Sequence, residues 1–246
     1  MLTDLVLFID GETIVLDKPA GLPVDRPRDG SSSVEAALDT FRFGFQREPS
    51  AVHRLDRDTS GCLLLARHPK AHKRFAAAFE AGLVEKTYWA VLDSVPQGEG
   101  GRIDLPLAKR STREEGWRIV ADPKGKPAVT EWRLLGVVEG RALIEFRPQT
   151  GRTHQLRIHA LEGLGYAIVG DPVYGRGGEV PSTGSGQGML LHARRLRLPR
   201  DPKPAIDVTA PLPKSFALWA ALVDDDVAPS SPGGGGGPPP QAVVEG

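Results

Sequence analysis

Apolar residues fall along the chain with two kinds of spacing, which predict different elements. Short runs of strand-forming residues occupy positions 13–16, 62–66, 87–92, 101–107, 128–135, 142–147, 193–198 and 206–209. Apolar residues at helical spacing occupy positions 34–41, 69–81 and 214–222. Together with hairpin-like spacing around Gly140, this alternation predicts an α+β fold, with a mixed, largely antiparallel sheet flanked by helices.

Capping residues suggest where the helices begin and end. Ser32 and Glu35 have the spacing of a capping box at the start of the first helix. The second helix is expected to stop at Gly82. Thr153 is in position to cap a further helix that runs to Glu162.

Two stretches have the composition of segments that do not pack. Residues 229–240 read PSSPGGGGGPPP, so we expect a disordered tail over residues 227–246 after one domain over residues 1–226. Residues 175–188 contain six glycines along with Ser, Thr and Pro, and they predict a mobile loop.

The composition is that of an ordinary globular protein, with 40% apolar and 25% charged residues. The single cysteine, Cys62, excludes an intramolecular disulfide framework and fits a reducing compartment. No apolar run approaches the roughly 20 residues that span a bilayer. We therefore expect a cytoplasmic protein that has no contact with a membrane.

Residues 53–61 concentrate charge directly before an apolar run of strand composition. Arg54, Asp56, Arg57 and Asp58 lie within five positions and are followed by Thr-Ser-Gly. A carboxylate at the entry of a buried strand needs partners such as arginine to stay ionised, which would suit a nucleophile. A turn whose Asp and Thr side chains bond to local backbone fits the same pattern. The spacing leaves both interpretations open.

Two further segments carry candidate side chains. In residues 153–159, a helix would place His154 and Arg157 on one face, where Arg157 could pair with a buried acid. A basic surface helix fits that pattern equally. In residues 86–91, strand alternation puts Lys86 and Tyr88 on one face, and Tyr88 could be a core tyrosine or could stack on a base.

Metal binding is not predicted. The chain has neither an HExxH nor a CxxC motif. His154 and His159 are five positions apart, which is not the spacing that puts two ligands on one helical face. The other residues that would have to assemble a site are scattered: His53, Asp56, Asp58, Asp171 and His192.

Taken together, these segments resemble the RluA-type pseudouridine synthases in both order and content. Residues 53–61, HRLDRDTSG, are similar to the family's HRLDxxTSG signature. Five further blocks follow the family's order, and the resemblance covers roughly residues 10–222. The blocks are IVLDKPAGL at 14–22, KTYWAV at 86–91, GRTHQLRIH at 151–159, GDPVYG at 170–175 and LHA at 191–193.

The resemblance implies a set of catalytic roles. Asp56 would be the nucleophile that attacks the target uridine, and Arg157 would hold it ionised and positioned. Tyr88 would stack on the flipped base, and Arg54 would fill the space that the nucleotide leaves. Substrate binding is expected at a wider set that adds residues from the same blocks: Arg54, His53, Arg152, His154 and Gln155. No cofactor or metal is implied.

The same resemblance implies a structured RNA substrate, a stem-loop of ribosomal or transfer RNA, and we expect a monomer to bind it. The first block begins within about fifteen residues of Met1, so the chain resembles a catalytic domain alone. Net charge is zero, so local basic clusters would have to grip the RNA, although each could equally be a solvated face. The clusters are Lys70/Lys73/Arg74, Arg147/Arg152/Arg157 and Arg194/Arg195/Arg197/Arg200.

Two other functions compete with this interpretation. A non-catalytic RNA-binding module would be expected to lack one of the key side chains, but Asp56, Arg157 and Tyr88 are all present. A carboxylate-based hydrolase of nucleosides or glycosides would need a second catalytic acid. Asp58 or Asp171 could serve, but no motif points to either.

Overall fold

The computed structural model describes residues 2–112, 116–175 and 188–222. Within these ranges the chain forms twelve strands, three α-helices, three 3₁₀-helices and one π-helix. The strands are β1 (Val6–Ile9), β2 (Thr13–Lys18), β3 (Ser50–Ala51), β4 (Ser60–Ala66), β5 (Glu85–Leu92), β6 (Gly100–Asp104), β7 (Leu107–Thr112), β8 (Gly116–Ala121), β9 (Val129–Val138), β10 (Arg141–Pro148), β11 (Leu191–Leu198) and β12 (Ile206–Thr209). The α-helices are α1 (Pro69–Glu80), α2 (Gln155–Ile158) and α3 (Ala217–Ala220). The 3₁₀-helices are Leu2–Leu5, Glu35–Phe41 and Lys214–Phe216, and the π-helix is His159–Gly163.

Ten strands form one sheet in the order β1-β2-β4-β11-β5-β10-β9-β6, with β3 beside β4 and β12 beside β11. Among the described strands, β4 and β11 form the one parallel pair, and the other pairings are antiparallel. Strands β7 and β8 form a separate hairpin. The predicted α+β architecture with a mixed, largely antiparallel sheet is confirmed.

The parallel contact between β4 and β11 joins the two halves of the sheet. It is short, pairing Ser60 with His192 and Gly61 with Ala193. Gly61 has φ +102°, and a Cβ there would lie 2.3 Å from the backbone oxygen of Ala193. Only glycine fits this backbone geometry and this close approach. Strand β4 is therefore placed against β11 at the point where the charged segment 53–61 enters the sheet.

Strand β4 is buried along its whole length, as its apolar run predicts. On one face Leu64 packs with Phe75 of α1 and with Leu196 of β11. On the other face Leu63 packs with Phe41 of the helix Glu35–Phe41. Strand β4, which follows the charged segment, therefore packs between α1 on one face and the helix Glu35–Phe41 on the other. This packing fixes the position at which the charged segment ends.

Helix α1 matches its prediction closely. Pro69 occupies the first turn, and the ring of His68 accepts a hydrogen bond from the Ala71 N–H at 3.1 Å. The chain leaves the helix through Gly82 at φ +71°. Phe75 is fully buried and Phe79 partly so, in the same core cluster.

Two capping predictions are wrong. The Glu35 carboxylate accepts the Arg26 N–H at 2.9 Å, while Ser33 accepts the Ala36 N–H at 3.1 Å, so no Ser32–Glu35 box forms. Thr153 is not a cap, because the chain passes through His154 at φ +52° before α2 begins at Gln155. This left-handed residue sets the direction of the short helix, which continues as a π-helix rather than as one long α-helix.

Other boundaries differ more modestly. The run at 101–107 is divided between β6 and β7, and the predicted helix 214–222 is a 3₁₀ turn followed by α3. Strands β1, β3 and β8 were not predicted. The predicted loop lies outside the described residues over 176–187, and so does the predicted tail over 227–246. Within the described ranges, no helix has the length and apolar character needed to cross a membrane.

Candidate active site

A cleft of about 490 Å³ opens where the segment before β4, the start of β5, the start of α2 and the β7–β8 hairpin converge. Asp56 lies on that segment, Tyr88 on β5 and Arg157 on α2, and all three line the cleft. The five predicted substrate-binding residues line it too: His53, Arg54, Arg152, His154 and Gln155. The fold therefore gathers into one cavity residues that are far apart in sequence.

Lys18 anchors the backbone of the segment that carries Asp56. Its ammonium group, almost fully buried, donates to the backbone oxygens of Pro19, Leu22 and Arg57 at 2.8, 2.7 and 3.0 Å. Burial lowers the pKa of Lys18 to about 8, although the charges of Asp58 and Asp56 act in the opposite direction. The lysine connects the turn after β2 to the segment that carries Asp56, so it fixes the backbone beside Asp56.

Arg157 bridges two carboxylates. Its Nη1 donates to Asp56 Oδ2 at 3.2 Å, and its Nε and Nη2 donate to the two oxygens of Asp171 at 2.7 Å each. The side chains of Arg157 and Asp171 are 5% and 1% exposed, while that of Asp56 is 30% exposed. The bridge therefore has a buried end at Asp171 and an open end at Asp56. The expected pairing of Arg157 with Asp56 is confirmed, and the catalytic roles stay predictions.

Asp171 is fixed on every side. Besides the two bonds from Arg157, its Oδ1 accepts the backbone N–H groups of Val173 and Tyr174, each at 2.9 Å. Burial disfavours the carboxylate, but the hydrogen bonds and charge of Arg157 outweigh that cost and lower the pKa of Asp171. A carboxylate this fully engaged serves as an anchor for Arg157. Asp58 does not line the cleft, so neither candidate fits the second acid of a hydrolase.

His154 stands next to the carboxylate. Its Nε2 lies 3.9 Å from Asp56 Oδ2, and its Nδ1 lies 2.8 Å from the Tyr174 hydroxyl. Because that hydroxyl accepts the Ile119 N–H at 3.0 Å, it is placed to donate its own proton to Nδ1. Burial lowers the pKa of His154, against the opposing charge of Asp56. We infer a neutral imidazole that directs its Nε2–H toward Asp56.

Tyr88 and Lys86 point into the cleft from β5, as strand alternation predicts. Burial, with the charge of Asp56 adding to it, raises the pKa of Tyr88, so the phenol stays neutral. Burial lowers the pKa of Lys86. One wall of the cleft thus presents an aromatic ring and a partly desolvated amine.

His53 and Gln155 line the cleft, but their polar atoms are engaged within the protein. His53 Nε2 accepts the Leu64 N–H at 3.0 Å, its ring stacks on Phe79 at 4.7 Å, and burial lowers its pKa to about 3. The Gln155 amide makes four bonds, to Val129 O, Thr130 Oγ1, Thr150 Oγ1 and the Arg152 N–H. We expect both to support the loops, and direct contact with substrate stays a prediction.

Arg54 and Arg152 occupy the exposed rim. Arg54 forms an ion pair with Asp25, and the Nε of Arg152 donates to Pro127 O at 3.0 Å. Each guanidinium keeps further donors for a phosphate or a base.

Strand β8 contributes a cleft residue that the sequence did not reveal. The Trp117 ring stacks on His154 with centroids 5.3 Å apart and an interplanar angle of 30°. Only Ile119 of β8 is buried, so the strand lacks the apolar pattern that marks a buried strand. One feature of the sequence could have pointed to RNA binding here, namely an aromatic residue close to several cations: Lys109, Arg110, Trp117 and Arg118.

The basic cluster on β11 is engaged with acids. Arg195 and Arg197 both contact Asp207, at 2.6 and 3.7 Å. Arg197 also contacts Glu85 at 2.6 Å, and Arg200 contacts Asp10 at the same distance. These pairings favour the solvated-face interpretation for Arg195 and Arg197, whereas the Arg200 side chain is only 6% exposed and its ion pair lies largely inside the protein. Among the described residues, no three His, Cys, Asp or Glu side chains are grouped as a metal site would require.

Comparison with known proteins agrees with this geometry. The model of the family described as RNA pseudouridylate synthase matches residues 12–162. An uncharacterized RNA pseudouridine synthase of Zymomonas mobilis is 56% identical over 216 residues, which are 88% of this chain and 97% of that protein. The ribosomal large subunit pseudouridine synthase D of the same organism is 38% identical over 179 residues, 70% of this chain but 56% of that protein.

Solved structures give the same result. The human RNA pseudouridylate synthase domain containing 4 superposes with a TM-score of 0.73 at 26% identity, covering 90% of this chain and 93% of that one. The human domain containing 1 protein gives 0.68 at 27% identity, covering 88% and 86%. The chain therefore belongs to the RNA pseudouridine synthases, a family of isomerases that convert uridine in RNA to pseudouridine.

Proposed function

We propose that this chain isomerises uridine in a stem-loop of ribosomal or transfer RNA, with Asp56 as the nucleophile. The observation that supports this most directly is the 3.2 Å contact between Arg157 Nη1 and Asp56 Oδ2 inside an open cleft. One carboxylate oxygen is oriented by a buried guanidinium, while the side chain remains 30% exposed to an incoming nucleotide. Such an arrangement prepares a carboxylate for attack.

The reaction conserves atoms. Asp56 adds to the anomeric carbon of the sugar or to the base ring, and either route frees N1 of the base from the sugar. The base then rotates and rejoins the sugar through C5. The proton on C5 is lost, N1 gains a proton, and Asp56 is released unchanged. No oxidant, metal or cofactor enters this balance.

Three side chains near Asp56 would each support a different part of the reaction. Arg157 holds Asp56 in position, and Asp171 keeps Arg157 aligned. Tyr88, neutral and next to Asp56, offers its ring to the detached base and its hydroxyl to the proton transfer at C5. His154 directs an N–H toward the same carboxylate.

The target uridine must leave its stack to reach Asp56. Extrusion costs a few kcal/mol and is least costly in an RNA loop, where pairing is already lost. Arg54 on the rim is placed to enter the vacated space, since it is exposed and paired only with Asp25 among the residues described. The name of the second relative supports large-subunit ribosomal RNA as a target. We further propose that the protein acts in the cytoplasm as a monomer.

The decisive experiment is to map pseudouridines in cellular RNA from cells with the gene, without it, and with the gene carrying Asp56→Asn. We expect one or more positions to lose pseudouridine on deletion and to regain it with the wild-type gene but not with Asp56→Asn. Restoration by the Asp56→Asn gene would exclude the nucleophilic role. An unchanged map in all three strains would instead favour a non-catalytic RNA-binding role.

A further inference from the structure

We propose that Trp117 is a stacking platform for a nucleobase that flanks the target uridine. The inference rests on the proposed function and adds to it a residue that positions the RNA. Trp117 lies on the β7–β8 hairpin, outside the segments that carry the family signature, and it lines the same cleft as Asp56.

Trp117 is too exposed to be a core residue. It is 49% exposed, whereas Trp132, Trp89 and Trp219 are 9%, 6% and 2% exposed. A large aromatic ring left half open inside a polar cleft offers a surface on which an aromatic ligand could stack. The hairpin does not need the ring as a core residue, since Leu107 and Ile119 supply its buried contacts.

The ring is also held in place. It stacks on His154 at 5.3 Å, and His154 is fixed in turn by the Tyr174 hydroxyl at 2.8 Å. Tyr174 bonds back to the hairpin through the Ile119 N–H at 3.0 Å. A rigid ring loses little conformational entropy when a base stacks on it, so stacking is favourable.

The chemistry around the ring fits RNA. The ammonium group of Lys109 lies over the ring, 5.0 Å from its centroid, on an exposed side chain. A base that stacks on the ring would displace this ammonium group, which could then pair with the phosphate, a combination of stacking and charge by which single-stranded nucleic acid is bound. His154 Nε2 is 3.9 Å from Asp56 Oδ2 while its ring touches Trp117. Only the His154 side chain therefore separates Trp117 from Asp56. Because Tyr88 is the expected stacking partner of the target base, Trp117 is better placed to stack on the base of an adjacent nucleotide.

The kinetic test compares Trp117→Ala, Trp117→Phe and a matched control, Leu83→Ala. Leu83 is 58% exposed and lies outside the cleft. The probes are large-subunit ribosomal RNA and transfer RNA transcripts made in vitro and tritiated at C5 of uridine. We expect Trp117→Ala to raise KM about tenfold with kcat within about twofold, and Trp117→Phe to restore most of the loss. A residue that only supports His154 would lower kcat instead.

A fluorescence titration provides a readout that does not depend on turnover. In an Asp56→Asn background, the same transcripts should quench tryptophan emission, because a base stacks on the one exposed tryptophan of the four. Adding Trp117→Phe should remove that quenching while RNA still binds in a filter assay.

The outcomes separate the two proposals. If the wild-type chain releases no tritium from any transcript, the proposed function fails, and the quenching alone decides the platform. If the wild-type chain is active, the platform is overturned when Trp117→Ala keeps the wild-type KM. It is equally overturned by quenching that persists in Trp117→Phe or that never occurs.

Discussion

Arg157 and Asp171 form a two-bond pair, Nε to Oδ2 and Nη2 to Oδ1 at 2.7 Å each, behind the single bond that reaches Asp56. Parallel bonds of this kind fix the plane of a guanidinium as well as its position. The orientation of Arg157 is therefore set by its buried partner, and Asp56 faces an arginine that is already aligned.

Asp171→Asn should consequently impair both stability and catalysis. Loss of the charge leaves Arg157 buried without its main partner, which costs about 3 kcal/mol in the free energy of unfolding. We expect kcat to fall at least tenfold, because the guanidinium can tilt away from Asp56. Urea denaturation and tritium release measure the two effects. Asp104→Asn, which breaks the exposed pair with Arg102, should cost less than about 1 kcal/mol, and equal losses in both variants would contradict the anchoring role.

Asp56→Asn should lower tritium release by more than about a thousandfold, the scale on which removal of a nucleophile acts in other enzymes. RNA binding and the melting temperature should change little, since the side chain is partly exposed and bonded mainly to Arg157. Asp58→Asn is the matched comparison, because Asp58 lies two residues away and does not line the cleft. Abolished activity in both variants would revive a mechanism with two carboxylates.

The free energy of unfolding should depend on pH through His192. Its imidazole is fully buried against Ser60, and burial, followed by the charge of Arg194, lowers its pKa to about 4. The unfolded chain binds that proton below about pH 6.5. Between pH 6.5 and 4 the unfolded state thus holds more protons, so the free energy of unfolding falls as pH drops, by roughly 3 kcal/mol for this group.

Urea unfolding across this pH range tests the effect. His192→Gln should reduce the slope between pH 6.5 and 4 by the share of this one group, while buried His53, whose pKa is lowered to about 3, keeps part of the pH dependence. An identical slope in the wild-type protein and in His192→Gln would show that other groups carry the pH dependence.

Gly61→Ala should destabilise the protein more than its backbone angle alone explains. Gly30 is a matched control, because it also has a positive φ, +74°, but has open space around it. Gly30→Ala should cost about 1 kcal/mol for the left-handed backbone. Gly61→Ala should cost at least about 3 kcal/mol, because its new methyl group would meet Ala193 O at 2.3 Å and push β11 from β4. Equal melting temperatures for the two variants would contradict this account.

The sequence revealed the fold class and the pairing of Asp56 with Arg157 for different reasons. Apolar periodicity sufficed for the mixed sheet, since each of the central strands β4, β5 and β10 contains an apolar run, at 62–66, 88–92 and 142–144. It could not decide between a turn and a nucleophile at Asp56. The resemblance to a known family supplied the role, and the 3.2 Å contact with Arg157 agrees with it.

What the sequence missed depends on distant partners. The Ser32–Glu35 box looked plausible locally, but Glu35 bonds to the Arg26 N–H instead. Capping by Thr153 failed because His154 adopts φ +52° while bonded to Tyr174. Local spacing cannot predict such contacts, because their free energy depends on segments that are distant in sequence. Trp117 was missed for the related reason that an exposed hairpin leaves no burial pattern.

The two-residue parallel contact between β4 and β11 has a consequence for how the protein is made. Ser60 bonds to His192 across 132 residues of chain, so this junction forms only after β11 has left the ribosome. At typical synthesis rates of roughly 5–20 residues per second, the segment that carries Asp56 remains on the order of ten seconds without β11. Contacts so distant in sequence also form slowly. The nascent enzyme thus stays without an assembled active site until nearly the whole sheet has been synthesised.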